Sequence, residues 1–209
     1  MHQAAKPWST LPQWALDRTC FFHHATLTNN HPNLPKVMRL MGATAKSEMM
    51  PSIFAKSLAQ CLNTVQTEPG GIAQVVGMAR DFARDERLVV VLGDNIFERS
   101  QSASIAAWAS GGDRAMIFVK DVPDPENFGV VVYEDGRVVD IVEKAGVVDK
   151  RYPAPPTNEA VVGLYCFPPD VFDVIERLEP SSRGELEITD VNRHYAQQGR
   201  LDVVRVEGW

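Results

Sequence analysis

Five consecutive aliphatic residues, Leu88-Val89-Val90-Val91-Leu92, run without a polar break into Gly93-Asp94-Asn95. Three β-branched residues in a row favour extended chain, and an apolar run that does not alternate predicts a strand covered on both faces. Such a strand needs a layer on each side, which points to a sheet sandwiched by helices. Asp94 then falls at the carboxyl end of the strand, where open α/β sheets bind their ligands. Local grounds leave two readings open: a ligand for a divalent cation, or a turn cap shared with Asn95.

The flanking chain supports the α/β class. Met50, Ile53, Phe54, Leu58, Cys61 and Leu62 recur at helical spacing, with Pro51 in the first turn. A short extended piece from Thr64 follows, and then Pro69-Gly70-Gly71 opens a helix through Phe82 that ends near Arg84–Arg87. Two glycines let a flat ligand approach the backbone, and the helix start offers free amides; an ordinary turn explains the same residues. Helix followed by apolar strand implies a largely parallel sheet.

Downstream, Ile105–Trp108 predict a short helix closed by Gly111-Gly112, and Ala115–Val119 a second buried strand. Pro123 and Pro125 make the next segment a rigid loop. Phe128–Tyr133 and Val138–Lys144, joined through Asp135-Gly136, form a hairpin. A loop occupies residues 145–158, a buried strand Ala160–Phe167 stops at Pro168-Pro169, and a helix follows that Asp170 is expected to cap. An acidic turn from Ser181 enters a helix ending at Gly199, and Leu201–Val206 is the last strand.

Composition narrows the function classes. A net charge of -6 gives no basic stripe for nucleic acid, so none is expected as a partner. No apolar run approaches membrane-spanning length, and no secretory h-region is visible. Cys20, Cys61 and Cys166 have no metal-site spacing and read as reduced thiols of a cytoplasmic protein. His23, His24 and His31 make a poor metal site, because adjacent histidines point apart. Hydrolase elbow, zincin and P-loop motifs are absent. The remaining polar groups at strand ends and turns are Gln66, Gly71, Asp94, Gly129, Glu143 and Lys144. A glycine-bearing cradle, a carboxylate suited to Mg²⁺ and a lysine suited to phosphate fit phosphoryl or nucleotidyl transfer.

Six stretches then become specific together: Gln66–Gln74, Leu92–Phe97, Asn127–Val131, Val142–Lys144, Ala160–Tyr165 and Arg183–Asn192. In order and spacing they resemble the sugar-1-phosphate nucleotidylyltransferases, in particular glucose-1-phosphate thymidylyltransferases. The resemblance implies a Rossmann-like nucleotidyltransferase domain of α/β class with a mixed, mostly parallel sheet, and it suggests a homo-oligomer. It implies that Gln66 and Gly71 contact the base and that Asp94 ligates Mg²⁺. Gly129, Glu143 and Val161 would line the sugar subsite, with Lys144 near the sugar phosphate. The substrates would be dTTP and glucose-1-phosphate, giving dTDP-glucose and pyrophosphate for polysaccharide biosynthesis.

The departures shape a second expectation. Residues 1–65 contain no G-G-x-G-T-R loop, Lys36 being a weak substitute for its lysine, and Ala145 stands where the family usually has proline. The family's second metal aspartate also has no counterpart before Trp209. The domain is therefore expected to be truncated at both ends, with an unmatched segment 1–50 and a partial nucleotidyltransferase domain 51–209. Its activity is expected to be impaired, or reduced to binding a nucleotide or sugar nucleotide.

Overall fold

The strand about which the sheet is built is Glu159–Phe167 (β5), apolar from Ala160 onward. The computed structural model describes residues 70–93, 95 and 97–207. The expected helix before Asn63, His23, His24, His31, Lys36, Gln66, Asp94, Cys20 and Cys61 lie outside the described residues. Along one edge β5 pairs with Ala115–Asp121 (β2); along the other it meets Gly129–Glu134 (β3) at Ala160 and Leu88–Val91 (β1) at Leu164–Phe167. Arg137–Glu143 (β4) extends the sheet beyond β3, and Leu201–Arg205 (β6) pairs with β2, giving the order β4-β3-β5-β2-β6.

The mixed α/β architecture agrees with the sequence, but the direction of pairing does not. Only β2–β6 is parallel; the other four described pairings are antiparallel. Helix-then-strand order therefore does not make neighbours parallel here. β5 returns between strands that run the opposite way, and the β3–β4 hairpin adds another reversal. In that hairpin Asp135 and Gly136 have φ of 48° and 74°, the doubly left-handed turn that matches the twist of paired strands.

β1 carries a second correction. Its burial alternates: Val89 and Val91 are 39% and 38% exposed, while Leu88 and Val90 are half-buried. Among the described residues β1 has one sheet partner, β5, so an unbroken aliphatic run is here a one-sided strand. The fully covered strand is β2, whose residues Ala115–Val119 are all buried.

Helices enclose this core. The expected helix after Gly71 is present but breaks at Ala79 into Ile72–Met78 (α1) and Arg80–Ala83 (α2). Ser102–Ala109 (α3) brings Trp108 against Met116, Phe118, Leu164 and Cys166. Val171–Ile175 (α4) follows Pro168-Pro169 as expected, but Asp170 does not cap it. The Asp170 backbone is already helical (φ -70°, ψ -2°), whereas a capping residue is extended. Its carboxylate instead accepts hydrogen bonds from Tyr195 Oη at 2.9 Å and Arg200 Nη1 at 2.8 Å.

Ile188–Gln197 (α5) buries Ile188, Val191, Asn192, Tyr195 and Ala196, a stripe of helical period against the sheet. The Tyr195 ring stacks on Phe167, 6.1 Å between centroids, and Phe167 on Tyr165 at 5.9 Å. None of the described helices is long and apolar enough to cross a membrane.

Tyr195 therefore joins α5 to β5 through its ring and to α4 through its hydroxyl, and two substitutions separate these contributions. Tyr195→Phe is expected to cost about 1 kcal/mol, because Asp170 keeps Arg200. Tyr195→Ala is expected to cost about 3–5 kcal/mol through loss of the buried ring. Urea unfolding with unchanged slope measures both; equal costs would show that the ring contributes little.

Candidate active site

β4, β3 and β5 bring three of the expected site residues into one row. Gly129 pairs with Glu143, and the antiparallel register of Val130 with Ala160 sets Gly129 level with Val161. Residues level with one another on paired antiparallel strands share a face. Glu143 and half-buried Val161 thus flank a position without a side chain. A Cβ at Gly129 would lie 3.2 Å from both Glu143 Oε2 and Thr189 Oγ1, so the glycine keeps the opening clear. Thr189, on the first turn of α5, donates a hydrogen bond to Glu143 Oε2 at 2.6 Å. Among the described residues Glu143 Oε1 receives no hydrogen bond.

Lys144 follows with a left-handed backbone, φ 44°. A non-glycine residue holds that conformation only under constraint. Here its N–H donates to Phe128 O at 3.0 Å, and its carbonyl accepts from the N–H groups of Val147 and Val148 at 2.9 Å each. Its ammonium forms no ion pair among the described residues. A second cation stands nearby. Arg183, in the turn before α5, donates through Nη2 to both carboxylate oxygens of Glu187 at 2.9 Å. That bond, joined by the charges of Glu187, Glu185 and Glu143, holds its guanidinium even more firmly protonated than usual. Arg183 belongs to a stretch quoted above, yet its spacing from Glu143, 40 positions earlier, carried no signal of proximity.

Gly70 and Gly71 meet the turn before α5. Leu186 N–H donates to Gly70 O at 2.9 Å, and Ala73 N–H donates to Leu186 O at 3.2 Å. Gly71 has φ 89°, and a Cβ there would lie 2.9 Å from Leu186 N and closer still to its carbonyl oxygen. The expectation of free amides at this helix start is corrected in part, because the Ala73 amide is already engaged by Leu186. Gly71 is required here for close approach of two backbones.

Asp94 and Gln66 lie outside the described residues, but the neighbours of Asp94 show where its loop is anchored. Leu92 N–H donates to Gly163 O at 2.8 Å, and Gly163 N–H donates to Asn95 Oδ1 at 2.9 Å. Opposite this point the β2–β5 register shifts, Ile117 facing Tyr165 and Val119 facing Val161. A Cβ at Gly163 would lie 2.8 Å from Leu92 Cβ. The missing side chain at Gly163 thus admits Leu92 and Asn95 against β5, two residues from Val161. Among the described residues no group of three His, Cys, Asp or Glu side chains is arranged to hold a metal.

The loop after Lys144 returns through Asp149, whose N–H donates to Glu143 O at 3.1 Å. Arg151, hydrogen-bonded to it at 2.6 Å, holds the Asp149 carboxyl below the usual carboxylate range. Burial, against the pull of Arg193, pushes that of Asp190 up.

A family model described as nucleotidyl transferase matches residues 22–209. The chain belongs to that family. Among curated relatives, a low-salt glycan biosynthesis nucleotidyltransferase, Agl11 of Haloferax volcanii, is 42% identical over 147 residues, covering 69% of this chain and 39% of the relative. A glucose-1-phosphate thymidylyltransferase of Neisseria meningitidis is 38% identical over 141 residues, covering 66% of this chain and 46% of the relative. The chain thus spans less than half the length of the curated relatives it matches. A crystal structure of a protein assigned as a glucose-1-phosphate thymidylyltransferase of Bacillus anthracis, in complex with sucrose, superposes with TM-score 0.64 at 34% identity. That match covers 78% of this nucleotidyl transferase chain and 65% of the other.

Two outcomes follow for the site scaffold. Gly71→Ala is expected to lower unfolding stability by about 2–3 kcal/mol, through the clash with Leu186 and the positive φ. A variant as stable as wild type in urea would show that the two turns can separate freely. Asp149→Asn is expected to lose about 2 kcal/mol at neutral pH. The depressed carboxyl of Asp149 adds stability that is present above the unfolded value near ~3.9 and is lost as pH falls toward the folded one. Wild type and variant should therefore converge in acid; a constant gap across the acid range would exclude the charge as its source.

Proposed function

We infer that this chain carries the sugar-phosphate side of a sugar-1-phosphate nucleotidylyltransferase, acting on dTTP and glucose-1-phosphate to give dTDP-glucose and pyrophosphate. The observation that carries the reading is the row Glu143–Gly129–Val161, closed by Thr189, with Lys144 and Arg183 at its border. Glu143, one oxygen held by Thr189, presents the other to sugar hydroxyls. Gly129 leaves room for the pyranose ring and Val161 gives it an apolar wall. Lys144 neutralises the sugar phosphate, with Arg183 next to it. Gly71 borders the base together with Gln66.

In this reading Asp94 is the Mg²⁺ ligand, and the ion would neutralise charge on the phosphoryl oxygens. The described residues supply no further cluster for it. The steps assigned to the described residues are binding and orientation, which bring a phosphate oxygen of the sugar into line with the α-phosphorus.

A second reading is binding of a nucleotide or sugar nucleotide without appreciable turnover. The loss of transition-state donors raises a barrier by about 3–4 kcal/mol each. Isothermal titration with dTDP-glucose and pyrophosphate release from dTTP and glucose-1-phosphate distinguish the two. Binding is expected, weakened about tenfold, or ~1.4 kcal/mol, in Glu143→Gln, together with slow release. No heat at millimolar dTDP-glucose would sink both readings, and release as fast as in a full-length relative would sink the second.

A further inference from the structure

We propose that Arg193 is a positioning residue of this site, clamping the end of β4 and the loop after it so that Glu143 and Lys144 point at the sugar phosphate. The proposal rests on the reading of those two residues given above.

One guanidinium reaches three separate pieces of chain. Arg193 donates through Nε to Asp140 Oδ1 at 2.9 Å, and through Nη2 to Ile141 O at 2.8 Å and Asp149 Oδ2 at 3.3 Å. Its Nη1 pairs with Asp190 on its own helix. Arg151 closes the ring from the loop side, at 3.0 Å from Asp140 and 2.6 Å from Asp149. Both aspartate side chains are only 9% exposed, so neither is served by bulk water. They are balanced by the two guanidinium groups, and losing either partner would leave a buried charge poorly compensated.

The position of the clamp ties it to the site. Arg193 lies one helical turn beyond Thr189, so α5 grips β4 twice: Thr189 at Glu143, and Arg193 at Asp140 and Ile141. Asp149 is the residue whose N–H closes onto Glu143 O, with Val147 and Val148 closing onto Lys144 O. These bonds enforce the left-handed Lys144 backbone, which relaxes if Asp149 is released. A planar fork of donors is needed to reach a carboxylate on each side and a carbonyl between them. A lysine carries the charge but cannot span all three.

Arg193→Lys, which keeps the charge and removes the fork, tests this by hydrogen exchange and by titration with dTDP-glucose and with dTDP. The expected result is at least tenfold faster exchange at the amides of Val147, Val148 and Asp149, with β2 and β5 amides unchanged. Affinity for dTDP-glucose should fall about tenfold while that for dTDP is retained. Unchanged loop exchange, or a uniform acceleration that includes β2 and β5, would overturn the clamp. If Arg193→Lys does not fold, Asp149→Asn carries the same comparison from the other end of the contact. A wild type that binds no dTDP-glucose would remove the functional reading, whereas the exchange pattern still decides whether Arg193 holds the loop.

Discussion

The architecture depends on β5 being paired along both edges at once. One nine-residue strand takes β2 on one side and, on the other, β3 near its start and β1 near its end. Strands so placed cannot slip independently, because a one-residue shift of β5 would reverse the facing of each side chain that it contributes to the core. The register shift opposite Gly163 is the one place where this regularity yields, and Leu92 and Asn95 approach there. The same strand therefore sets both the apolar core and the position of the loop at the end of β1.

The short stretches noticed separately in the sequence turn out to be partners in space. Gly70 and Ala73 are zipped to Leu186 by two backbone hydrogen bonds, and Gly129 faces Glu143, which is held by Thr189. Leu186, Thr189 and Arg193 all come from one turn and the helix it enters, and each reaches a different part of the site. The glycines contribute by what they omit. At positions 71, 129 and 163 a Cβ would press on the neighbouring chain, so these approaches depend on its absence.

What was legible in the sequence was local. The Asp135-Gly136 hairpin, the Pro168-Pro169 stop, the covered strand at Ala115–Val119 and the helix entered from the acidic turn at Ser181 follow from turn chemistry and local pattern, and each is present. What failed depends on distant chain. The valines of β1 look suited to a fully buried strand, but burial is decided by neighbours, and Val89 and Val91 are open. Asp170 has the composition of a cap, yet Tyr195 and Arg200, 25 and 30 residues further on, claim its carboxylate. Strand direction was misjudged for the same reason: the order of elements does not reveal which strands meet. Arg183 and Arg193 escaped notice because a guanidinium acquires its role from carboxylates that spacing cannot place.

One buried group gives this molecule an internal clock. Cys166 lies near the end of β5 among Trp108, Met116, Phe118 and Leu164, and burial pushes its thiol up to about 12. Since the thiolate is the reactive form, alkylating reagents meet a group that is both shielded and protonated. Modification of Cys166 therefore waits for the central strand to open, and its labelling rate reports the opening free energy of the sheet core without reference to any ligand.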